Sequence, residues 1–469
     1  MASSKHAVVV GAGLVGALWT VFLARRGYRV DVYERRPDMR QAGYSGGRSI
    51  NLAMSVRGWA AVEKAGIREH IERVAIPMPG RMMHDLNGNL TFQPYGKEGE
   101  AIYSVSRGGL NLELLHLAGA YDNVQFHFEH RCVEVDLERP LITFEDLTTG
   151  QMRTVEAPLI FGADGAFSAV RYALQRTDRF NYAQHYIEHG YKELTIPPGP
   201  DGKHRMEPHA LHIWPRKQFM LIALPNADGS FTCTLFLPFQ GEHAFEHLST
   251  DEAVLAFFQR FFPDVVPLMP ALVEDFRRNP TSSLVTTRCY PWHWQNRILL
   301  IGDAAHAIVP FYGQGMNAGF EDCTILDRMY DEYGGDWARI IPDFSAQRKK
   351  DGDAILELAL RNFIEMRDLV AEPKFLLRKK IAARLHERYP EFLPVYSMVS
   401  FSNIPYHIAL REDDLQNELF ARILALPNIE ERWDSPEVER IFLEWWRQRK
   451  ETGDMTSRAS ASAGVFYTS

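Results

Sequence analysis

Apolar positions along the chain fall into two textures. His6 to Val10 form a short apolar run, GAGLVG follows, and Leu18, Val21, Phe22 and Leu23 then recur on one helical face. Gly27 stands where that helix should end, and YRVDVY (Tyr28 to Tyr33) alternates as a second strand that stops at Glu34. Strand, helix and strand in that order make a βαβ unit. Leu159 to Ser168, LIFGADGAFS, reads as another strand, and the run Ile298 to Ile301 as a third that ends on Asp303. Met316, Phe320 and Cys323 then share a face, so a helix starts near Gly315.

The second texture begins near residue 185. YKELTI, HALHIWP, FMLIALP and SFTCTLFLPF are short strand-like runs divided by Pro, Gly and Asn, which predicts an antiparallel sheet inserted between the nucleotide-binding pieces. From about residue 350 helical periodicity dominates, and the tail TGDMTSRASASAG is low in complexity and expected to be disordered. The expected division is a discontinuous nucleotide-binding domain over 1–180 and 285–345, and a sheet domain over 181–284 with contributions from about 75–105. A helical region over 346–450 and a disordered tail over 451–469 complete it.

With 469 residues the chain exceeds one small core, and 46% hydrophobic with 24% charged residues is ordinary for a soluble globular protein. A net charge of -8 with no long Lys/Arg tract argues against a nucleic-acid partner. Cys132, Cys233, Cys289 and Cys323 lie far apart and form no CxxC, which suits a reducing compartment; no metal site is expected. The start MASSKHAVVVGAG is expected to leave no room for a signal peptide, and no run of 18 apolar residues predicts a transmembrane span. A cytoplasmic enzyme is the expectation.

Gly11, Gly13 and Gly16 form GxGxxG between strand and helix. The first permits the turn, the second lets a pyrophosphate approach the backbone, and the third lets helix and strand pack closely. The helix N-terminus supplies N–H groups for phosphates, and Glu34, 18 residues after Gly16, can accept from a ribose. Asp303, at the carboxyl end of its strand, could accept hydrogen bonds from a sugar-alcohol chain. The helix starting near Gly315 would aim its dipole at a group that becomes negative, as reduced flavin does on its pyrimidine side.

GAGLVG, GADG and GDAAH together resemble the single-component flavin-dependent aromatic hydroxylases, the group of para-hydroxybenzoate hydroxylase, and Arg107 in YSVSRGGL matches that group's arginine near the flavin. The resemblance implies an α/β (α+β) fold with a Rossmann-like FAD-binding domain, an inserted antiparallel-sheet substrate domain and a C-terminal helical region. It implies non-covalent FAD held by Gly11, Gly13, Leu14, Val15, Gly16, Glu34, Arg35, Arg107, Asp164, Asp303, Gly315, Met316 and Asn317. NADPH would be a transient co-substrate, and there is no second GxGxxG.

Longer segments are more specific. GRSINLAMSVRG (Gly47 to Gly58), GRMMH, QPYG, HGYKEL, HIWP, VPFYGQGMNAGFED, NFIEM and YSMVSFSNIPY are similar to the kynurenine 3-monooxygenase family. That family implies NADPH- and O2-dependent conversion of L-kynurenine to 3-hydroxykynurenine through a flavin C4a-hydroperoxide. The same chemistry on another aromatic acid or phenol is the alternative. By resemblance Arg81, Tyr95 and Tyr406 hold the substrate carboxylate, through a planar guanidinium fork and two phenols. Asn362 lies on an otherwise apolar stripe with Ile355, Ala359 and Met366 and needs a partner, which the amino-acid end would supply. Leu211, Ile222, Phe236, Pro310, Phe311 and Met366 would wall the ring chamber, with Gln314 near the aryl ketone; Tyr312 receives no role.

The ring amine of kynurenine activates the adjacent carbon, so no acid/base dyad is expected. His306 would be structural or flavin-adjacent, and His84 pocket-side or at the surface. Eukaryotic members of the family carry a C-terminal membrane anchor, whereas DDLQNELFARILALPNIEERW and SPEVERIFLEWWRQRK read here as amphipathic helices packing over the substrate lobe. Trp445 and Trp446 leave a peripheral membrane role open. A monomer or homodimer is expected.

Overall fold

The structure, a computed structural model, describes residues 5–41, 51–370 and 372–451. The first part of the GRSINLAMSVRG segment, residues 47–50, and all of the tail beyond 451 lie outside the described residues.

Six strands form the first sheet, in the order His293–Trp294, Ile298–Leu300, Ile160–Gly162, His6–Val10, Arg29–Tyr33, Val124–His127; only the His293–Trp294 edge is antiparallel. Its central strands are continuous apolar runs because a parallel sheet is covered on both faces: Val8, Val9, Ile160 and Leu299 have no exposure. Helix Leu14–Arg25 supplies part of that cover, with Gly16 through Ala24 all buried. Trp19 meets Phe161 edge-on at 5.2 Å. The helix closes on Gly27, whose φ of +76° suits a residue without Cβ.

The second large sheet has seven strands, ordered Ser282–Tyr290, Asn181–Ile196, Phe231–Pro238, Met220–Pro225, Leu211–Pro215, Gly80–His84, Leu90–Pro94. Neighbours are antiparallel except Leu211–Pro215 beside Gly80–His84, which run parallel. YKELTI proves to be the end of a strand of 16 residues. Its first half, with exposed Tyr182 and Tyr186, lacks apolar alternation and is held extended by pairing with Ser282–Tyr290. One face of this sheet carries Leu194, Leu235 and Phe258 in its own core, while the other carries Leu211, Phe236 and Met366.

Helix Trp337–Ile364 starts at Asp336, whose side chain accepts from the Ala338 amide, and runs into a π-helical turn, Glu365–Leu369. Helices Pro373–Arg388, Tyr406–Leu424 and Pro436–Glu451 then pack around Leu385, Phe420 and Phe442. Trp445 is 6% exposed, and Trp446 packs against the same cluster. The two tryptophans thus belong to this helical core.

Gly16 sits where helix and strand touch: a Cβ there would lie 1.9 Å from the Gly11 carbonyl oxygen. Gly16→Ala should therefore cost about 1–3 kcal/mol through overpacking, read as a lower midpoint in thermal unfolding. An unchanged midpoint would contradict this packing.

Candidate active site

The C-terminal ends of four parallel strands open on one cavity of about 530 Å³, where an open α/β sheet takes its ligands. Gly11, Gly13, Leu14 and Val15 form its floor. Gly11 has φ +99° and a Cβ would fall 2.5 Å from the Ala163 oxygen, whereas a Cβ at Gly13 would meet nothing within 4 Å. The Gly13 backbone is therefore open to a ligand, and the helix behind it has no side-chain cap on its first N–H groups. Helix Gly315–Glu332, also without a side-chain cap, starts at the opposite wall with Gly315 and Met316. Gly313 just before it has φ +66°, and a Cβ would crowd Ala53 at 2.9 Å.

Polar groups around this end have unequal freedom. Arg35, Arg107 and Asp303 are exposed cavity residues. Glu34 is 7% exposed; Oε2 accepts from the Ala12 amide at 2.9 Å and Oε1 from the Arg36 side chain at 2.8 Å. Burial pushes its carboxyl up, but the Arg36 guanidinium and the Ala12 and Arg36 amides outweigh it and hold Glu34 below its ordinary value. Asp164 also lines the cavity, yet its carboxylate caps helix Ala169–Leu174, accepting from Ser168 Oγ at 2.5 Å and the Ala169 amide at 2.7 Å. An open glycine backbone, two uncapped helix starts, exposed cations and a carboxylate at a strand end suit a dinucleotide with a flavin ring. Two expected cofactor residues do not line the cavity. Gly16 is consumed by packing, and Asn317 is wholly buried, with Oδ1 accepting from the Ser55 amide and Nδ2 donating to Ala53 and Gly313 carbonyls.

The other end of the cavity is an apolar slot walled by Leu211, Ile222, Phe236, Pro310, Phe311 and Met366. Arg81 closes it, only 6% exposed, with its guanidinium 5.2 Å from the Tyr95 ring and 5.4 Å from Tyr396. Those two rings stack at 4.9 Å, and Tyr312 stacks on Tyr396 at 5.5 Å. Arg81 Nη1 lies 3.5 Å from Glu365 Oε1, and its Nε has no hydrogen-bond partner among the described residues. Burial pushes the Glu365 carboxyl up, but Lys379 and Arg81 outweigh it, so Glu365 stays a carboxylate.

Three expected substrate residues do not line this slot, and each has a polar group engaged within the chain. Tyr406 has no exposure; its hydroxyl donates to Gln314 Oε1 at 2.9 Å and its ring packs under Arg57 at 4.0 Å. Gln314 is thereby occupied, and its Nε2 reaches Ser55 Oγ at 3.5 Å. Asn362 Nδ2 donates to the Phe311 carbonyl at 2.7 Å, which holds the Pro310–Tyr312 turn. Tyr396 takes the place assigned to Tyr406. Both tyrosines stand in YSMVSFSNIPY, and they fall in separate helices, so periodicity alone could not choose between them. Glu365 was missed because it begins the π-helical turn, where the helical phase changes.

His84 is neither pocket-side nor at the surface. It is 4% exposed, bonded to Asp264 at 2.9 Å and to His212 at 2.8 Å. His306 is buried behind the Gly302-Asp303 turn, with Nε2 2.6 Å from Asp322 Oδ2, which also accepts from the Gly302 amide. Among the described residues there is no cluster of three or more His, Cys, Asp or Glu suited to a metal, and no helix is long and apolar enough to cross a membrane.

Burial opposes charge on His306, but Asp322 outweighs it and raises His306 above 6.5. The protonated form is the stabilised one, so its contribution is full below that value and is lost as pH rises through the raised pKa. The thermal midpoint should accordingly fall across that window, and His306→Gln should flatten the fall; an equally steep fall in the variant would exclude His306 as its source.

A family model described as FAD binding domain matches residues 5–329. Kynurenine 3-monooxygenase of Christiangramia forsetii is 49% identical over 444 residues, covering 94% of this chain and 99% of the relative. The enzyme of the same name from Myxococcus xanthus is 48% identical, covering 90% and 92%, and that from Sus scrofa 46%, covering 86% and 85%. Among solved structures, 2-methyl-3-hydroxypyridine-5-carboxylic acid oxygenase superposes with a TM-score of 0.65 at 20% identity, covering 82% of this chain and 98% of that one. The p-nitrophenol 4-monooxygenase of Pseudomonas putida does so with a TM-score of 0.65 at 16% identity, covering 88% and 99%.

Proposed function

The chain belongs to the kynurenine 3-monooxygenase family and is a FAD-dependent monooxygenase, and from that premise we propose that it hydroxylates L-kynurenine to 3-hydroxykynurenine, consuming NADPH and O2. The observation that carries this reading is a buried guanidinium with an unpartnered Nε at the end of an apolar slot that opens onto the dinucleotide cradle. Arg81 takes the substrate carboxylate, Tyr95 and Tyr396 donate to it, and Glu365 accepts from the α-ammonium. A simple aromatic acid or phenol needs no such acidic neighbour. The Arg81–Glu365 pair favours a head that carries both charges.

Held by the glycine backbone at Gly11 and Gly13 and by the start of helix Gly315–Glu332, FAD would supply the redox chemistry, with NADPH as reductant and O2 as oxidant. The chain's own part is to bind, orient and keep water out. Uncapped N–H groups at Gly315 face the cavity as donors for charge on the cofactor. Leu211, Ile222, Phe236 and Phe311 hold the aromatic ring in a water-poor chamber. The ring amine supplies the electron density, so no side chain need remove a proton before oxygen transfer. The four free cysteines favour a reducing, cytoplasmic setting.

The direct test is NADPH oxidation with and without L-kynurenine, with the product identified by mass. A product heavier by one oxygen is expected; acceleration by a phenol but not by L-kynurenine would overturn the substrate assignment. Arg81→Ala should raise the KM for L-kynurenine by about 30-fold or more, as loss of a buried charge partner does, while FAD absorbance stays. Tyr396→Phe should raise KM by about tenfold. Tyr406→Phe should leave KM nearly unchanged and lower thermal stability instead; the reverse pattern would restore Tyr406 to the site.

A further inference from the structure

Among the described residues that line the cavity, two buried polar side-chain atoms have no hydrogen-bond partner: Arg81 Nε and Thr234 Oγ1. The first belongs to the carboxylate end. The second belongs to Thr234 on strand Phe231–Pro238, a residue only 1% exposed that lines the apolar chamber. Leaving a buried hydroxyl unpaired costs about 1–3 kcal/mol, and a valine of the same shape would avoid that cost. Its cross-strand neighbours, Ile222 and Glu193, supply no hydrogen bond to it.

The sheet order puts Thr234 at the ring end. Arg81 pairs with Leu211, and one further strand, Met220–Pro225, intervenes before Phe231–Pro238. Three strand spacings are about 14 Å, a span that an arginine side chain and an extended aryl amino acid share between them. On the same strand face, two residues on, Phe236 meets Phe311 at 4.9 Å, beside the turn that leads into helix Gly315–Glu332. Thr234 therefore borders the region where an aromatic ring would lie beside a flavin.

We propose that Thr234 is a specificity-determining contact whose Oγ1 accepts a hydrogen bond from the ring amine of an ortho-amino aryl ketone. This rests on the substrate reading above. In such a ketone one N–H bonds internally to the carbonyl oxygen, and the other points outward beside the carbon to be hydroxylated. Accepting that outward N–H fixes which ring edge faces the cofactor and strengthens donation from nitrogen into the ring. The site thereby prefers a 2-aminophenyl ketone over the same molecule without its ring amine, although both would satisfy Arg81 and Glu365.

The test compares binding of L-kynurenine and of 2-amino-4-oxo-4-phenylbutanoate, which lacks the ring amine, to FAD-loaded wild type, Thr234→Val and Thr234→Ser. Perturbation of the flavin absorbance reads the binding. Wild type and the serine variant should prefer L-kynurenine by about tenfold, the size of one hydrogen bond, and the valine variant by twofold or less. The valine variant should also keep or raise its thermal midpoint, because it removes an unpaired hydroxyl. Equal loss of affinity for both compounds with a lower midpoint would make Thr234 a packing residue and overturn the inference. An undiminished preference in the valine variant overturns it while leaving the substrate reading intact, whereas failure of wild type to bind L-kynurenine ends both.

Discussion

Asp322, a carboxylate with no exposure, holds the site's framework together. One oxygen accepts from the Gly302 amide and pairs with His306; the other accepts from Arg348 Nε at 3.0 Å. Arg348 continues to Glu321 at 3.1 Å and Asp351 at 3.2 Å. Arg57 joins Glu321 at 2.9 Å and donates to the Val399 and Ile404 carbonyls. One buried chain of charges thus runs from the turn bearing Asp303, through helices Gly315–Glu332 and Trp337–Ile364, to the segment bearing Tyr396. Buried ion pairs repay little net stability, since desolvation offsets their attraction. Their effect here is geometric: each charge has few places where it is satisfied, so the strand end and the tyrosine segment are held in one relation.

That relation makes a single cavity of two unlike halves. At the dinucleotide end the ligands are mostly backbone, exposed by glycine and by uncapped helix starts. At the slot end they are side chains set on a sheet whose other face has its own core. The slot is apolar because the same strands that bury Leu235 on one face present Phe236 on the other. Polar atoms inside it are few, and most buried polar groups nearby are spent on one another, as Tyr406 and Gln314 are, or on holding a turn, as Asn362 is. The unpaired ones are consequently informative about a ligand.

The dinucleotide half was legible in the sequence by itself. GxGxxG, the strand before it, the helix after it and Glu34 are near in the chain, and the turn they make depends on backbone freedom at Gly11 and close packing at Gly16. The apolar walls Leu211, Ile222 and Phe236 were legible through the family resemblance, and strand alternation then gives the neighbours that share their face. Thr234 shares that alternation with Phe236 and could have been read from it. Which tyrosine stands beside Arg81, and that Glu365 joins it, only the tertiary structure decided. Those groups come from a strand, a helix of the C-terminal region and a π-helical turn, distant in sequence, and no local period relates them. The same holds for Asn362 and Gln314: the sequence shows a buried amide that needs a partner, but only the folded chain supplies the neighbouring carbonyl or hydroxyl.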